Sequence, residues 1–188
     1  MLTRLSNWLR QRSTGRIALL ALVVFVAFMA VEFSGGETLS EDPVFSVGVP
    51  DVSFYYTAER LYEMAESYGE QGRARYIESA RTFDLWWPLV YTFFLATSLS
   101  WLTRRLFAEG SLWQRANLVP IIGMLLDYAE NISVATVMGR YPEPTPILAS
   151  LAGILTVLKW LFVGGAVLLV LALAALLLWR GVTRRTSS

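Results

Sequence analysis

The sequence predicts an all-α fold: a four-span transmembrane helix bundle with an extra-cytoplasmic loop containing a short amphipathic helix. Three observations lead there. Hydrophobic residues make up 55% of the 188 residues and charged ones only 16%, where a soluble domain is nearer a quarter charged. The mean hydropathy is +0.48. Four apolar runs are each long enough for a bilayer, which takes ~20 helical residues, and the charges fall in the connectors with opposite bias on the two sides. The whole chain, 1–188, reads as a single membrane domain.

The first span is expected at about 16–33, with the core IALLALVVFVAFMAV. Its arginine-rich start also suits a cleaved signal peptide. The stretch Ala27-Phe28-Met29-Ala30, followed by Glu32 and Phe33, matches the small-x-small cleavage pattern poorly, so a signal anchor is the expectation. The second span is expected at about 83–102, the third at 116–137 and the fourth at 146–179. The fourth exceeds a perpendicular crossing and should tilt or project.

Orientation follows from the basic residues. Arg4, Arg10, Arg12 and Arg16 precede the first span without an acid, and Arg104, Arg105 and Arg115 face Glu109 in the second-to-third connector. Arg180, Arg184 and Arg185 follow the fourth. The 34–81 segment is acidic, with Glu37, Glu41, Asp42, Asp51, Glu59, Glu63, Glu66, Glu70 and Glu78. Both termini are therefore expected in the cytoplasm of a plasma (inner) membrane, with 34–81 and the turn 139–145 outside. Trp8, Trp101, Trp113 and Trp179 suit the inner interface, Trp86 and Trp87 the outer one.

Within the outside segment, residues 34–56 carry Gly, Pro and Ser turn signals. Leu61, Met64, Ala65 and Tyr68 then fall at i, i+3, i+4 and i+7, which predicts an amphipathic helix over 57–68 with Thr57 as N-cap and Glu59 in the first turn. Its apolar face should cover the outer mouth of the bundle, with a lid or a lipid-lying helix as the other readings. Gly69-Glu70-Gln71-Gly72 should end it, and the next helix should start at Arg73 and run unbroken into the second span.

The candidate site lies inside the spans. Asp127, Glu130 and Asn131 sit at i, i+3 and i+4 in an otherwise apolar run, so one helix face carries all three. Asp127 should lie ~15 Å from the cytoplasmic boundary. In the second span Arg81, Asp84, Pro88 and Tyr91 share a face, and Pro88 is a candidate kink. Lys159 is the sole lysine and should lie in the outer half of the fourth span. The expected ligand-binding set is thus Arg81, Asp84, Tyr91, Asp127, Glu130, Asn131 and Lys159. Ionisable groups at membrane depth are costly and usually functional, and adjacent carboxylates cannot all ionise cheaply there. Polar glue between helices is the competing reading, but three polar residues on one helix exceed what pairing needs.

Composition narrows the chemistry. Cysteine and histidine are absent, so disulfides, Cys/His zinc sites and haem with His or Cys axial ligands are excluded. No cofactor is assigned and no metal site is expected. No basic, aromatic-interleaved patch suggests nucleic acid. The expected partners are the lipid bilayer and a small ligand or cation, with a homo-oligomer able to supply a missing half. Three function classes remain open: binding or moving a small ligand, cation or proton; an intramembrane enzyme on a lipid-like substrate, with Asp127, Glu130 or Asp84 as catalytic acid or base; and a structural or assembly subunit.

Overall fold

The structure, a computed structural model, describes residues 2–34 and 45–186. It is 87% helix without strands among the described residues. Among the described residues six α-helices follow in order: α1 (Leu2–Arg12), α2 (Gly15–Ser34), α3 (Ala58–Arg81), α4 (Phe83–Leu106), α5 (Val119–Arg140) and α6 (Pro146–Thr186). Three of the helical stretches are long and apolar enough to cross a membrane, or four if the bent pair α1 and α2 is taken as one. The stretch 35–44, with Glu37, Glu41 and Asp42, lies outside the described residues, as do the side chains of Arg184 and Arg185.

The apolar surface is turned outward. Leu20 and Val23 of α2, Trp86 of α4, Ile132 of α5 and Leu161, Leu168 and Leu171 of α6 are all exposed. The interior, by contrast, holds Asp84, Asp127, Glu130, Asn131 and Lys159. Water would not favour that arrangement, because contiguous apolar surface of this extent is rare on soluble monomers.

Two apolar clusters fill the core beside these polar groups. One joins α4 to α6 through Tyr91, Leu95, Leu99, Leu102, Ala166, Val170 and Leu173, with Phe25 of α2 against it. The other joins the 45–57 segment and α3 to α5 and α6 through Phe45, Val49, Tyr56, Leu61, Met64, Tyr68, Val134, Val137, Ala149 and Ala152. Leu61, Met64, Ala65 and Tyr68 are all buried there, so the apolar face of the amphipathic helix packs on the bundle. Thr57 caps it, its hydroxyl accepting from the Arg60 amide at 3.2 Å. The Glu59 carboxyl is held below its ordinary value by its own backbone amide and the Thr57 hydroxyl.

Several boundaries differ from the sequence expectation. The break after Tyr68 is one residue long: Gly69 adopts φ 62° and ψ −175°, and Gly72 is already helical. Only glycine takes that conformation without strain, and the Arg73 guanidinium donates to the Ala65 carbonyl freed by the kink at 2.8 Å. The helix from there does not run unbroken into the second span, because Thr82 (φ −112°, ψ −81°) separates α3 from α4. α4 passes through Pro88 as a single helix. Residues 112–118 form a 3-10 helix, so α5 starts at Val119 rather than Ala116, and Gly139 belongs to α5 rather than to the following turn. α6 reaches Thr186, about 60 Å at the helical rise. Residues 2–12, a basic flank by sequence, form a helix of their own, α1, which meets α2 at 94°.

Candidate functional site

The polar centre is built on α5. Pro120, Gly123, Asp127, Glu130, Asn131, Val134, Val137 and Met138 form its buried stripe, recurring every three or four residues. The three polar members lie mid-helix on the face shared with α4 and α6. On α6 the facing stripe is Ala149, Ala152, Thr156 and Lys159, with Gly153 beside it under the 45–57 segment. The small residues of the stripe let the helices approach closely, and its last member delivers the ammonium.

Lys159 is the hub. Its Nζ lies 2.6 Å from Glu130 Oε2 and 3.6 Å from Asp127 Oδ1. It also donates to the Asp51 carbonyl at 3.2 Å. The two carboxylate contacts are ion pairs, and the bond to the Asp51 carbonyl is a hydrogen bond. The remaining carboxylate oxygens have partners as well. Tyr91 donates to Asp127 Oδ2 at 2.9 Å. Tyr56 donates to Glu130 Oε1 at 3.2 Å, and Thr156 donates to the same oxygen. Glu130 is fully buried.

The Asn131 side chain faces acceptors, and with its amide nitrogen turned toward them it donates to Asp51 Oδ1 at 3.0 Å and to the Asp127 carbonyl at 3.3 Å. Tyr76 of α3 donates to Asp51 Oδ2 at 2.6 Å. A network of hydrogen bonds and ion pairs therefore runs from Tyr91 through Asp127, Lys159 and Glu130 to Tyr56, and through Asn131 to Asp51 and Tyr76. Burial, together with the nearby Glu130 carboxylate, raises the Tyr56 phenol above its ordinary value. Burial and the Asp51 carboxylate do the same for Tyr76.

Five residues expected from the sequence thus meet directly: Tyr91, Asp127, Glu130, Asn131 and Lys159. Asp84 is buried nearby, close enough to feel the charges of Asp51, Asp127, Lys159 and Glu130. It makes no hydrogen bond among the described residues. Arg81 does not join the site. It is exposed at the end of α3, where it lines a surface cleft with Ala74, Ile77, Glu78 and Thr82. Thr82 breaks the helical register between α3 and α4, so residue 81 does not continue the face that Asp84 and Tyr91 share. Tyr128 points elsewhere, donating to the Leu85 carbonyl at 2.7 Å.

Asp51, Tyr56, Tyr76 and Thr156 were missed as site residues. Thr156 had a signal, since it precedes Lys159 by three residues on one helix face. Asp51 had a fainter one, an acid in the apolar run Val47–Val52 beside Pro50. Only folding brings it to the bundle: Pro50–Val52 form a 3-10 turn, and Trp160 donates to the Ser53 carbonyl at 2.8 Å, pinning the strand of chain over α6.

The carboxyl groups of Asp127 and Glu130 thus flank one ammonium, Asp51 reaches it through its carbonyl, and Asp84 is a further buried carboxyl on α4. Among the described residues no three acids converge on a point that a metal ion could occupy. The arrangement suits holding protons or a small cationic group along a chain of donors and acceptors. The chain matches no protein-family model, no curated protein and no solved structure, so its chemistry is read from this geometry alone.

Proposed function

We propose that this chain is a multi-pass protein of the plasma (inner) membrane that binds or moves protons through a carboxylate network in the outer half of its bundle. In this reading α2, α4, α5 and α6 are the four spans. Both termini are cytoplasmic, and α3 with the 45–57 segment lies outside. The outward-turned apolar residues support the spans, and the arginine-rich flanks support the orientation.

The observation that carries the functional reading is charge balance. Lys159 can neutralise one of the two carboxylates it touches. Asp84 and Asp51 remain beside them, and a low dielectric does not tolerate several uncompensated charges. Protons, or a small cation, make up the difference. The absence of three convergent acids among the described residues argues for protons over a divalent metal. A lipid-like substrate has less support, because the clefts at Arg81 and between α1 and the 112–118 turn both lie away from the carboxylates.

The test is proton flux into sealed vesicles containing the purified protein, read with a trapped pH dye under an imposed potential. Wild type should acidify the lumen. Asp127→Asn and Glu130→Gln should each slow this by roughly tenfold or more, as loss of a proton-relay carboxylate does, while still melting as folded proteins. Absence of pH-linked flux in wild type, with both variants failing to fold, would instead make the network a structural brace.

A further inference from the structure

We infer that α1 is an interfacial helix that lies along the cytoplasmic surface of the bilayer and binds anionic phospholipid headgroups. This rests on the membrane orientation proposed above.

The bend between α1 and α2 is built at both ends. The Ser13 hydroxyl donates to the Leu9 carbonyl at 2.7 Å, and the Arg104 guanidinium donates to the carbonyls of Arg10 and Ser13 at 3.1 and 3.2 Å. Those bonds satisfy the open C-terminal end of α1 with a cation, as its dipole favours. On the other side of the bend the Thr14 hydroxyl accepts from the Ile17 amide at 3.3 Å, capping the start of α2. The 94° angle is thus a terminated helix followed by a new one. With α2 crossing the bilayer, α1 runs along its surface.

One side of α1 is fixed to the protein. Ser6 is buried and donates to Asn117 Oδ1 at 2.8 Å, and the Asn117 amide donates to the Ser6 carbonyl at 3.1 Å and to Ser100 at 2.9 Å. Arg10, on the same side, donates to the Gln114 side chain. The two flanks beside this seam differ. Thr3, Asn7 and Gln11 fall on one flank and line the polar cleft. Leu2, Leu5 and Trp8 fall on the other and are exposed, Trp8 by 55%. An exposed Leu/Leu/Trp flank on a helix perpendicular to a span is the pattern of interfacial insertion.

Charge selects the lipid. Arg4, Arg12 and Arg16 are exposed, and 1–31 contains no acid. Leu112 and Trp113 are exposed beside the same seam, with Trp113 stacked on Phe107 at 5.4 Å between centroids. Basic residues beside an apolar flank complement an anionic leaflet.

The chain has no cysteine, so single-cysteine variants report position cleanly. Leu5→Cys, Asn7→Cys and Val23→Cys, each carrying an environment-sensitive dye, would be placed in phosphatidylcholine vesicles with and without phosphatidylglycerol. Spin-labelled lipid should quench the dyes at 23 and 5, and the dye at 7 several-fold less. Quenching at 23 but not at 5 overturns the interfacial helix alone; no quenching at 23 overturns the membrane reading beneath it. Cross-linking between copies through Leu5→Cys, without quenching, would show that a second chain covers the flank and would also overturn the proposal. Arg4→Gln with Arg12→Gln should cut the preference for phosphatidylglycerol, read as co-purifying lipid by native mass spectrometry, by roughly fivefold per arginine. An unchanged preference overturns headgroup binding.

Discussion

The Tyr56 carbonyl lies so close to Gly153 that a Cβ built on Gly153 would meet its oxygen at 2.1 Å. This contact seats the 45–57 segment directly on the α6 backbone and brings Tyr56 and Asp51 into reach of Glu130 and Lys159. A backbone atom cannot rotate away as a side chain can. Gly153→Ala should therefore lift the segment, destabilising the protein by about 1–3 kcal/mol, the usual cost of overpacking. It should also open Asp51 to solvent. Thermal melts in detergent and labelling of an Asp51→Cys probe, compared with and without Gly153→Ala, check both parts.

Lys159 lies between two buried carboxyl groups, and its removal leaves the ionised one without a counter-charge. Lys159→Met should cost about 3–5 kcal/mol, as breaking a buried ion pair from one side does. Adding Asp127→Asn and Glu130→Gln should restore part of that loss, since the two carboxyls that Lys159 touches are then neutral. Equal stability of Lys159→Met and wild type in chemical denaturation would show that the carboxylates are already protonated in the folded protein.

Asp84 stands apart because it is buried without a hydrogen bond among the described residues, beside Asp51, Asp127 and Glu130. Asp84→Asn removes a carboxyl whose ionisation the neighbouring acids disfavour and breaks no hydrogen bond among the described residues. Stability should be unchanged or higher by about 1 kcal/mol, whereas Asp127→Asn disturbs contacts to Tyr91 and Lys159. Paired melting curves of the two variants at neutral pH distinguish them; a loss for Asp84→Asn as large as for Asp127→Asn would contradict this ranking.

Alkali should loosen the outside segment first. The phenols of Tyr56, Tyr68 and Tyr76 are all raised above their ordinary 10.0, chiefly by burial. A raised folded-state value contributes stability that is complete below the unfolded value. That stability is lost as pH climbs from there toward the folded one, because the unfolded chain releases its protons first. Stability should hold to about pH 10 and fall above it. Tyr76→Phe should flatten that fall, while costing about 1.5–3 kcal/mol at neutral pH for the lost bond to the Asp51 carboxylate. A pH series of denaturation midpoints for wild type and variant measures both effects.

The sequence by itself determined whatever depends on local period. The apolar runs marked helices, the 3.6-residue repeat put Leu61, Met64, Ala65 and Tyr68 on one buried face, and the same repeat put Asp127, Glu130 and Asn131 together. A helix imposes those relations on neighbours in the chain, whatever it packs against. Tertiary structure decided the rest. Asp51 and Tyr56 enter the site because a turn and a glycine contact lay irregular chain across α6, and irregular chain has no period to read. Arg81 leaves it because a single residue, Thr82, takes non-helical angles and shifts the register of one helix against the next. α1 became a helix of its own because Arg104 and Asn117, about a hundred residues away, supply the bonds that end it and hold it, and partners so distant are chosen only when the chain folds.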